Sequence, residues 1–565
     1  MEIVRRVVPP AARALTDAGM HPVLARVFAA RGVVTSDDLD AGLATLPPFA
    51  SMKGIDTAAV RLADAIARRE KIVIVADYDA DGATGCAVGM RGLAAMGACV
   101  DFIVPNRFED GYGLTPEIVG QAATREPKLI VTVDNGIASH DGVAAAVALG
   151  IDVLITDHHL PAATLPAPAL IVNPNQPGCA FPGKHLAGVG VMFYVLMATR
   201  ARLRERGAFS GRAEPNLGWL LDLVALGTVA DVVRLDRINR TLVSQGLARI
   251  RTGRAQPGVL ALLAASGRDP RRATCHDLGF VVGPRLNAAG RISDMTIGIR
   301  CLLAETDAAA RPFAAELDRL NRERRDIEAT MHVDALAEID AQAFDAGDAD
   351  AYTLCVYRPQ WHQGVVGIIA GRLKDRFNRP AIVFARGSPG ELKGSGRSIA
   401  GFHLRDALDL VAKRAPGSVA KFGGHAYAAG LTLAEAELPR FAATFEAVAR
   451  EQLSAALLRR TLESDGPLAP SELSFELAVA VRAAVWGQGF PAPVFDDTFA
   501  VREQRIVGGR HSKLLLVRDG RQVDAILFGQ IEPLPASIRA AYRPEVNEWN
   551  GVASLQLVVE YWQAA

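Results

Sequence analysis

The sequence predicts an α/β protein of several domains: a parallel-sheet domain, a long linking helix, a smaller α/β domain and a C-terminal β-barrel of the oligonucleotide-binding kind. Three observations lead there. From Lys71 onward, short β-branched runs alternate with Ala-rich helical stretches, the pattern of parallel strands joined by right-handed crossovers. From about Ala308 to Phe344 the chain is rich in helix formers, with charges four residues apart and Leu, Ile and Met at helical spacing. After the turn-forming stretch "ESDGPLAPSEL", alternating strands follow one another to the end of the chain.

Taken in order, the 565 residues suit roughly three or four domains. Expected spans are an N-terminal segment 1–48, a first domain 49–305, a linking helix 306–345, a second domain 346–455 and a barrel 456–565. In the first domain "KIVIVADYDADG", "KLIVTVDNG" and "DVLITDHH" read as strands, and "TGCAVGMRGLAAMG" and "VAAAVALG" as helices. Each strand is apolar almost throughout, as when helices cover both faces, and turns acidic or Gly-containing at its C-terminal end. Asp77, Asp134 and Asp157 therefore line one edge of the sheet, the edge where open α/β sheets bind ligands. A helical stretch, "GWLLDLVALGTVADVVRL", carries Asp231 just past its apolar portion, and "GPRLNAAGRI" closes the domain. In the second domain strand-like "YTLCVY" and "PAIVFA" surround a helical "GVVGIIAGRL", and "KFGGHAYAAG" precedes an amphipathic run. The barrel strands are "VREQRIVGG", "HSKLLLVRDG", "RQVDAILFG" and "GVASLQLVVEYW".

Composition excludes several classes. Half the residues are hydrophobic and 22% charged, which fits packed globular domains and leaves little room for long disorder. Lys+Arg and Asp+Glu are both 62, so only local charge can argue for a polyanionic partner. The six cysteines are scattered without a CxxC pair, against a zinc module or disulfide framework and in keeping with a reducing cytoplasm. No signal peptide or membrane-length apolar run is visible.

In "ADYDADG" Asp77, Asp79 and Asp81 occupy every second position. On an extended backbone they project to one side, and a divalent cation between them makes such crowding tolerable. The alternative for a lone pattern of this kind is a polar turn. Asp134 in "TVDNG", Asp157, His158 and His159 in "TDHH", and Asp231 in "TVADVV" are each weak alone, because an Asp at a strand end commonly caps a helix or forms a turn. Gathered on one sheet edge, carboxylates with one or two imidazoles suit a pair of Mn²⁺ or Mg²⁺ ions.

In this order "DYDADG", "VDNG", "DHH", "ALGTVADVV", "RLNAAGRI" and "FGGHAYAAG" resemble the DHH phosphoesterase superfamily and, within it, the bacterial exonucleases specific for single-stranded DNA. The resemblance runs from about Phe49 through the barrel. It makes the first domain a DHH domain, the second a DHHA1 domain and the barrel an OB-fold. It implies Asp134 as a bridging ligand, with Asp79, His158 and Asp231 completing one metal site and Asp77 helping to hold the other. It also implies Asp81 within reach of the centre, Asp157 orienting an imidazole, and His159 facing the scissile phosphate.

Arg285, Asn287 and Arg291 of "RLNAAGR" stand beside small residues that permit close backbone approach, suiting phosphate binding or, more blandly, a solvated turn. In "GSGRS" and "FGGH", Ser395, Arg397, Ser398, Gly423, Gly424 and His425 are the ingredients of an anion nest, and the resemblance implies a pocket there for the 5′ end. From Val501 to Arg521 the basic residues, Arg510 and Lys513 among them, face only Glu503 and Asp519. On a barrel this is either a surface for single-stranded nucleic acid, with few aromatic residues to stack on, or an ordinary solvated strand face.

The expectation is a two-metal exonuclease that cuts single-stranded DNA 5′ to 3′, releases 5′-mononucleotides and serves recombination and repair. It would act as a cytoplasmic monomer beside a single-strand-binding protein and a repair helicase. A rival hydrolase of short oligonucleotides, cyclic dinucleotides or pyrophosphate would lack the linking helix and barrel. A rival non-catalytic scaffold would have lost metal ligands that this sequence keeps.

Overall fold

The structure is a computed structural model and describes residues 1–107, 110–346, 351–549 and 551–565. The expected start of the second domain at 346 adjoins residues 347–350, which lie outside the described residues. The chain forms two compact units, one of Arg5–Asp318 with Glu463–Ala565 and one of Arg319–Leu462 with Met1–Val4.

The first unit contains a parallel sheet of β1 (Lys71–Ala76), β2 (Cys99–Ile103), β3 (Leu129–Val133), β4 (Asp152–Thr156) and β5 (Leu170–Val172), in the order β2-β1-β3-β4-β5. Strands β1, β3 and β4 are the three legible in the sequence, and their apolar runs are almost entirely buried. Strands β2 and β5 were not expected. They sit at the two edges, where half-burial and Asp101 inside β2 break up the apolar run that marks a central strand. The order puts the next strand after β1 on one side and the one after that on the other. This reversal opens a crevice beyond the carboxyl ends of β1 and β3, where Asp77 and Asp134 follow their strands.

One local expectation is overturned. The backbone does not stay extended through "DYDADG": β1 ends at Ala76 and helix α1 (Ala80–Ala95) starts four residues later. The Asp79 carboxylate accepts hydrogen bonds from the N–H groups of Asp81 (2.9 Å) and Gly82 (3.0 Å). Those otherwise orphaned helix-start donors drive the chain into a capped turn, and Asp81 lies in the helix, not on a strand face.

Around the crevice stand α2 (Gly188–Glu205), α3 (Leu221–Ala230), which ends on Asp231, and α4 (Gly283–Ile292), entered through a π-helical turn Asp277–Val282. "RLNAAGR" is thus helical, and its small residues do allow close approach. A Cβ at Gly290 would lie 1.8 Å from the Tyr78 carbonyl oxygen. The linking helix α5 spans Asp307–Ala346, offset from the expected 306–345 by one residue at each end.

In the second unit, β6 (Leu354–Tyr357) and β7 (Ala381–Arg386) are parallel and joined by a helix Val366–Phe377, as the sequence suggested. Strands β8 (Glu391–Arg397), β9 (Lys421–Gly424) and β10 (Ala428–Ala434) complete an otherwise antiparallel sheet in the order β9-β10-β8-β7-β6. "GSGR" is therefore a strand paired on both sides, and "FGGH" runs along one strand into a hairpin. Met331 and Ala335 of α5 join the core on one face of this sheet with Trp361 and Ile369.

Glu463–Ala565 holds the expected barrel, closed by β11 (Phe495–Val507), β12 (His511–Arg518), β13 (Arg521–Leu527), β14 (Ser537–Trp549) and β15 (Val552–Ala564) in the order β11-β12-β13-β15-β14. One pairing, β13 with β15, is parallel, so the barrel is not antiparallel throughout. The N-terminal segment is part of its core: Val23 and Val27 pack with Phe495, Phe499 and Leu514, and Arg31 makes a buried ion pair with Asp465 at 2.7 Å.

Gly290→Ala should force α4 away from the loop that carries Asp77 and Asp79. The expected cost is about 1–3 kcal/mol of stability, read by urea denaturation, together with weaker Mn²⁺ binding. Wild-type values of both would mean the close approach yields freely.

Candidate metal centre

Four segments of the chain bring acids and imidazoles together in the crevice. Oxygen atoms of Asp77, Asp79 and Asp134 lie within 4.8 Å of one another, as do ligand atoms of Asp134, His158 and His159, and of Asp81, His158 and Asp231. The groups share Asp134 and His158, which makes them one continuous donor set. All five residues expected as metal ligands are here. Asp79 groups with Asp77 and Asp134, whereas the resemblance set it with His158 and Asp231.

Asp134 is held in a costly conformation. Its φ of 63° is left-handed for a residue with a Cβ, and its N–H donates to the Thr156 carbonyl at 3.0 Å. Helix α2 begins directly against it, since a Cβ on Gly188 would lie 2.7 Å from the Asp134 Cβ. Its Oδ1 stands 3.1 Å from His158 Nε2, which in turn is 3.5 Å from Asp231 Oδ2.

The electrostatics favour a cation among these groups. Asp77, Asp81, Asp134 and Asp157 are buried. Burial, then the charge of Asp79, pushes the Asp77 carboxyl well above the usual range. Burial, then Asp81 and the other acids, does the same to Asp134, and burial with Asp81 and Asp79 raises Asp231. The Oδ1 atoms of Asp77 and Asp134 accept no hydrogen bond from the described residues. Buried carboxylates left this way are expensive unless neutralised, and oxygen donors with an imidazole suit Mn²⁺ or Mg²⁺.

Asp81 has a second attachment. Its two oxygens accept the N–H groups of Gly188 (2.6 Å) and Val189 (2.9 Å), tying the start of α2 to the crevice, while burial, then the charge of Asp79, raises its carboxyl to about 7. Asp157 orients His159, not His158. Its Oδ1 is 2.8 Å from His159 Nδ1 and accepts the N–H groups of His158 and His159, and its Oδ2 accepts the Ile137 N–H. Burial alone would lower the His159 pKa, but the hydrogen bond and charge of Asp157 outweigh it and hold the ring at about 9.

Several supporting residues were not anticipated. The Tyr112 hydroxyl donates to the Asp134 carbonyl at 3.2 Å and lies 3.5 Å from His159 Nδ1. Asn175 and Asn173 donate to the carbonyls of His158 (2.6 Å) and His159 (2.9 Å). The only sequence signal for the asparagines was the turn-forming "NPN", and Tyr112 carried none. Arg107 lies over the Tyr78 ring at 4.7 Å.

Several of the other expected site residues have partners within the protein. Arg285 pairs with Asp318 of α5 at 2.8 Å, and Asn287 accepts the Ala80 N–H at the start of α1 at 2.8 Å. Arg291 sits half-buried on α4. In the second unit Ser398 is buried and donates to the Phe402 carbonyl at 2.7 Å. Arg397 donates to Ser395 Oγ (3.2 Å) and to the Gly396 carbonyl (2.8 Å). Gly423 and Gly424 lie on the edge strand β9 paired with β10, and the His425 N–H donates to the Ala428 carbonyl in the hairpin that follows. On the barrel Lys513 pairs with Asp524 at 3.1 Å and Arg518 with Asp497, whereas Arg510 is exposed in the β11–β12 turn.

Comparison with known proteins gives the same picture. Residues 71–228 match the DHH family, N-terminal domain, 350–451 the DHHA1 domain and 464–561 the RecJ OB domain. The chain is 50% identical over 564 residues to the single-stranded-DNA-specific exonuclease RecJ of Dickeya dadantii, covering 98% of each chain. Crystal structures of RecJ from Thermus thermophilus match all of this chain and 79% or 78% of theirs. One, in complex with Mn²⁺, has a TM-score of 0.83 at 31% identity, and the other, with Mg²⁺, 0.77 at 29%.

In the metal-free protein His159 should titrate near 9. Its pairing with Asp157 stabilises the fold fully below the ordinary histidine value of about 6.5 and stops doing so as pH rises through about 9. In Asp157→Asn the midpoint should fall toward the ordinary value and that alkaline loss of stability should vanish. NMR titration of the imidazole with pH-dependent melting checks both.

Proposed function

Because the chain belongs to the RecJ family of single-stranded-DNA-specific exonucleases, we propose that this crevice hydrolyses single-stranded DNA from its 5′ end, releasing 5′-mononucleotides in recombination and repair. The observation that carries the reading is the shared Asp134. It belongs both to the group with Asp77 and Asp79 and to the group with His158 and His159, the donor arrangement two cations need to work on one phosphodiester. Asp77, Asp79 and Asp134 would hold one ion, and Asp134, His158 and Asp231 the other. Bound there, divalent ions supply a water of lowered pKa and positive charge opposite the leaving oxygen.

The chain's own groups do the positioning. His159, oriented by the Asp157 carboxylate on Nδ1, turns its Nε2 edge to a phosphoryl oxygen, and Asp81 holds α2 against the ligands. Tyr112 fixes the Asp134 backbone. In the second unit, Gly367 in the first turn of the helix Val366–Phe377 approaches Ser395 and Arg397 closely: a Cβ there would be 2.9 Å from Ser395 Oγ and 3.1 Å from Arg397 Nη2. A helix start, a hydroxyl and a guanidinium together suit a terminal 5′ phosphate. On the barrel, exposed Arg505 and Arg510 form no ion pair with another described residue and suit phosphates of the strand.

The chain acts as a monomer in the cytoplasm, beside a single-strand-binding protein and a repair helicase. All six cysteines are unpaired, which fits a reducing compartment, and no helix among the described residues is long and apolar enough to cross a membrane.

Asp134→Ala should abolish Mn²⁺-dependent degradation of 5′-labelled and 3′-labelled single strands while retaining strand binding. Retained degradation would remove Asp134 from the centre, and early release of 3′ label would reverse the polarity. Arg505→Glu with Arg510→Glu should weaken strand binding and flatten the dependence of log affinity on log salt, by about 0.7 in slope for each phosphate left without its cation. Lys513→Glu, already paired with Asp524, should matter less. Anisotropy titrations at several salt concentrations measure both.

A further inference from the structure

The outer face of the barrel carries an aromatic pair to which the chemistry above assigns nothing. Strand alternation separates its faces. Ser512, Leu514, Leu516, Ala525 and Leu527 are buried and point inward, so His511, Lys513 and Phe528 point outward. In the ladder Val507 faces His511, Arg505 faces Lys513 and Ser512 faces Leu527. Phe528, one residue on, therefore stands beside His511, and their rings meet at 5.0 Å and 83°.

The pair is held rigidly. The Gly529 N–H donates to His511 Nδ1 at 2.9 Å, Ser512 Oγ donates to the Gln530 carbonyl at 2.9 Å, and Trp562 Nε1 donates to Gln530 Oε1 at 3.0 Å. Fixing the loop so firmly while leaving Phe528 57% exposed is costly for a ring that serves only packing. The neighbouring cations are Arg505 in the adjacent row and Arg510 in the turn, both exposed and without an ion pair to another described residue.

We infer that Phe528, braced by His511, is a nucleobase-stacking platform, with Arg505 and Arg510 holding the phosphates on either side of the stacked base. The inference rests on the reading of the chain as a single-strand exonuclease and deepens it: binding at the barrel uses base faces as well as backbone charge, and tolerates any sequence because every base has a π-face. The sequence concealed this, because Phe528 lies outside the basic stretch and reaches it only through strand pairing.

The test uses the full-length protein without metal, to prevent cleavage, and measures affinity for an oligothymidylate and for an abasic strand of equal length. Phe528→Ala should bind oligothymidylate about tenfold more weakly and the abasic strand as wild type does. Phe528→Trp should restore oligothymidylate binding and Phe528→Leu should not. Wild-type affinity in Phe528→Ala, or equal weakening on both strands, overturns the platform and leaves the face to phosphate contacts or to a protein partner. Mn²⁺-dependent digestion by the wild-type preparation is measured alongside. Its absence would sink the exonuclease reading, whereas intact digestion with unchanged Phe528→Ala binding sinks only the platform.

Discussion

The structure depends on a crowd of carboxylates gathered out of water, where burial and mutual repulsion disfavour their ionised forms. Asp77, Asp81 and Asp134 are buried with Asp79 and Asp231 close by, and mutual repulsion adds to the cost of burial. Among the described residues the nearest bases within the cluster are His158 and His159, and His159 is committed to Asp157. The surrounding scaffold therefore holds the acids together, their charge relieved by protons until cations take their place. Left-handed Asp134 shows how much local strain that scaffold absorbs.

Two devices hold them. Backbone amides are spent on the carboxylates, with Asp79 capping α1, Asp81 capping α2 and Asp157 gathering three N–H groups from two loops. Absent side chains do the rest: at Gly188 and Gly290 the helices come so near the ligand loops that even a methyl group would intrude. The acids are thus both the chemistry and the joints of the crevice, so the residues that bind metal cannot be separated cleanly from those that shape it.

Engaged and unengaged charge divides the remaining surface in the same way. Arg285, Arg518 and Lys513 look alike in sequence to Arg505 and Arg510, yet the first three are tied to Asp318, Asp497 and Asp524. A guanidinium held by a carboxylate has little left for a phosphate. Only residues whose neighbours leave them unpaired keep their charge for a ligand.

The sequence by itself determined the central strands, the linking helix, the barrel and the set of acids and histidines at the strand ends. Periodicity, apolar runs and strand-end chemistry are local properties, and each survives being read a few residues at a time. It also determined the family, because six motifs in order are a coincidence too large to arise otherwise. Tertiary structure decided everything that depends on residues distant in the chain: that "DYDADG" caps a helix, that Asp157 serves His159, that Asn287 braces α1, and that Phe528 stands beside His511. A side chain's partner is set by packing between elements that sequence spacing does not encode, and partnership decides whether a charged or aromatic residue is left for function.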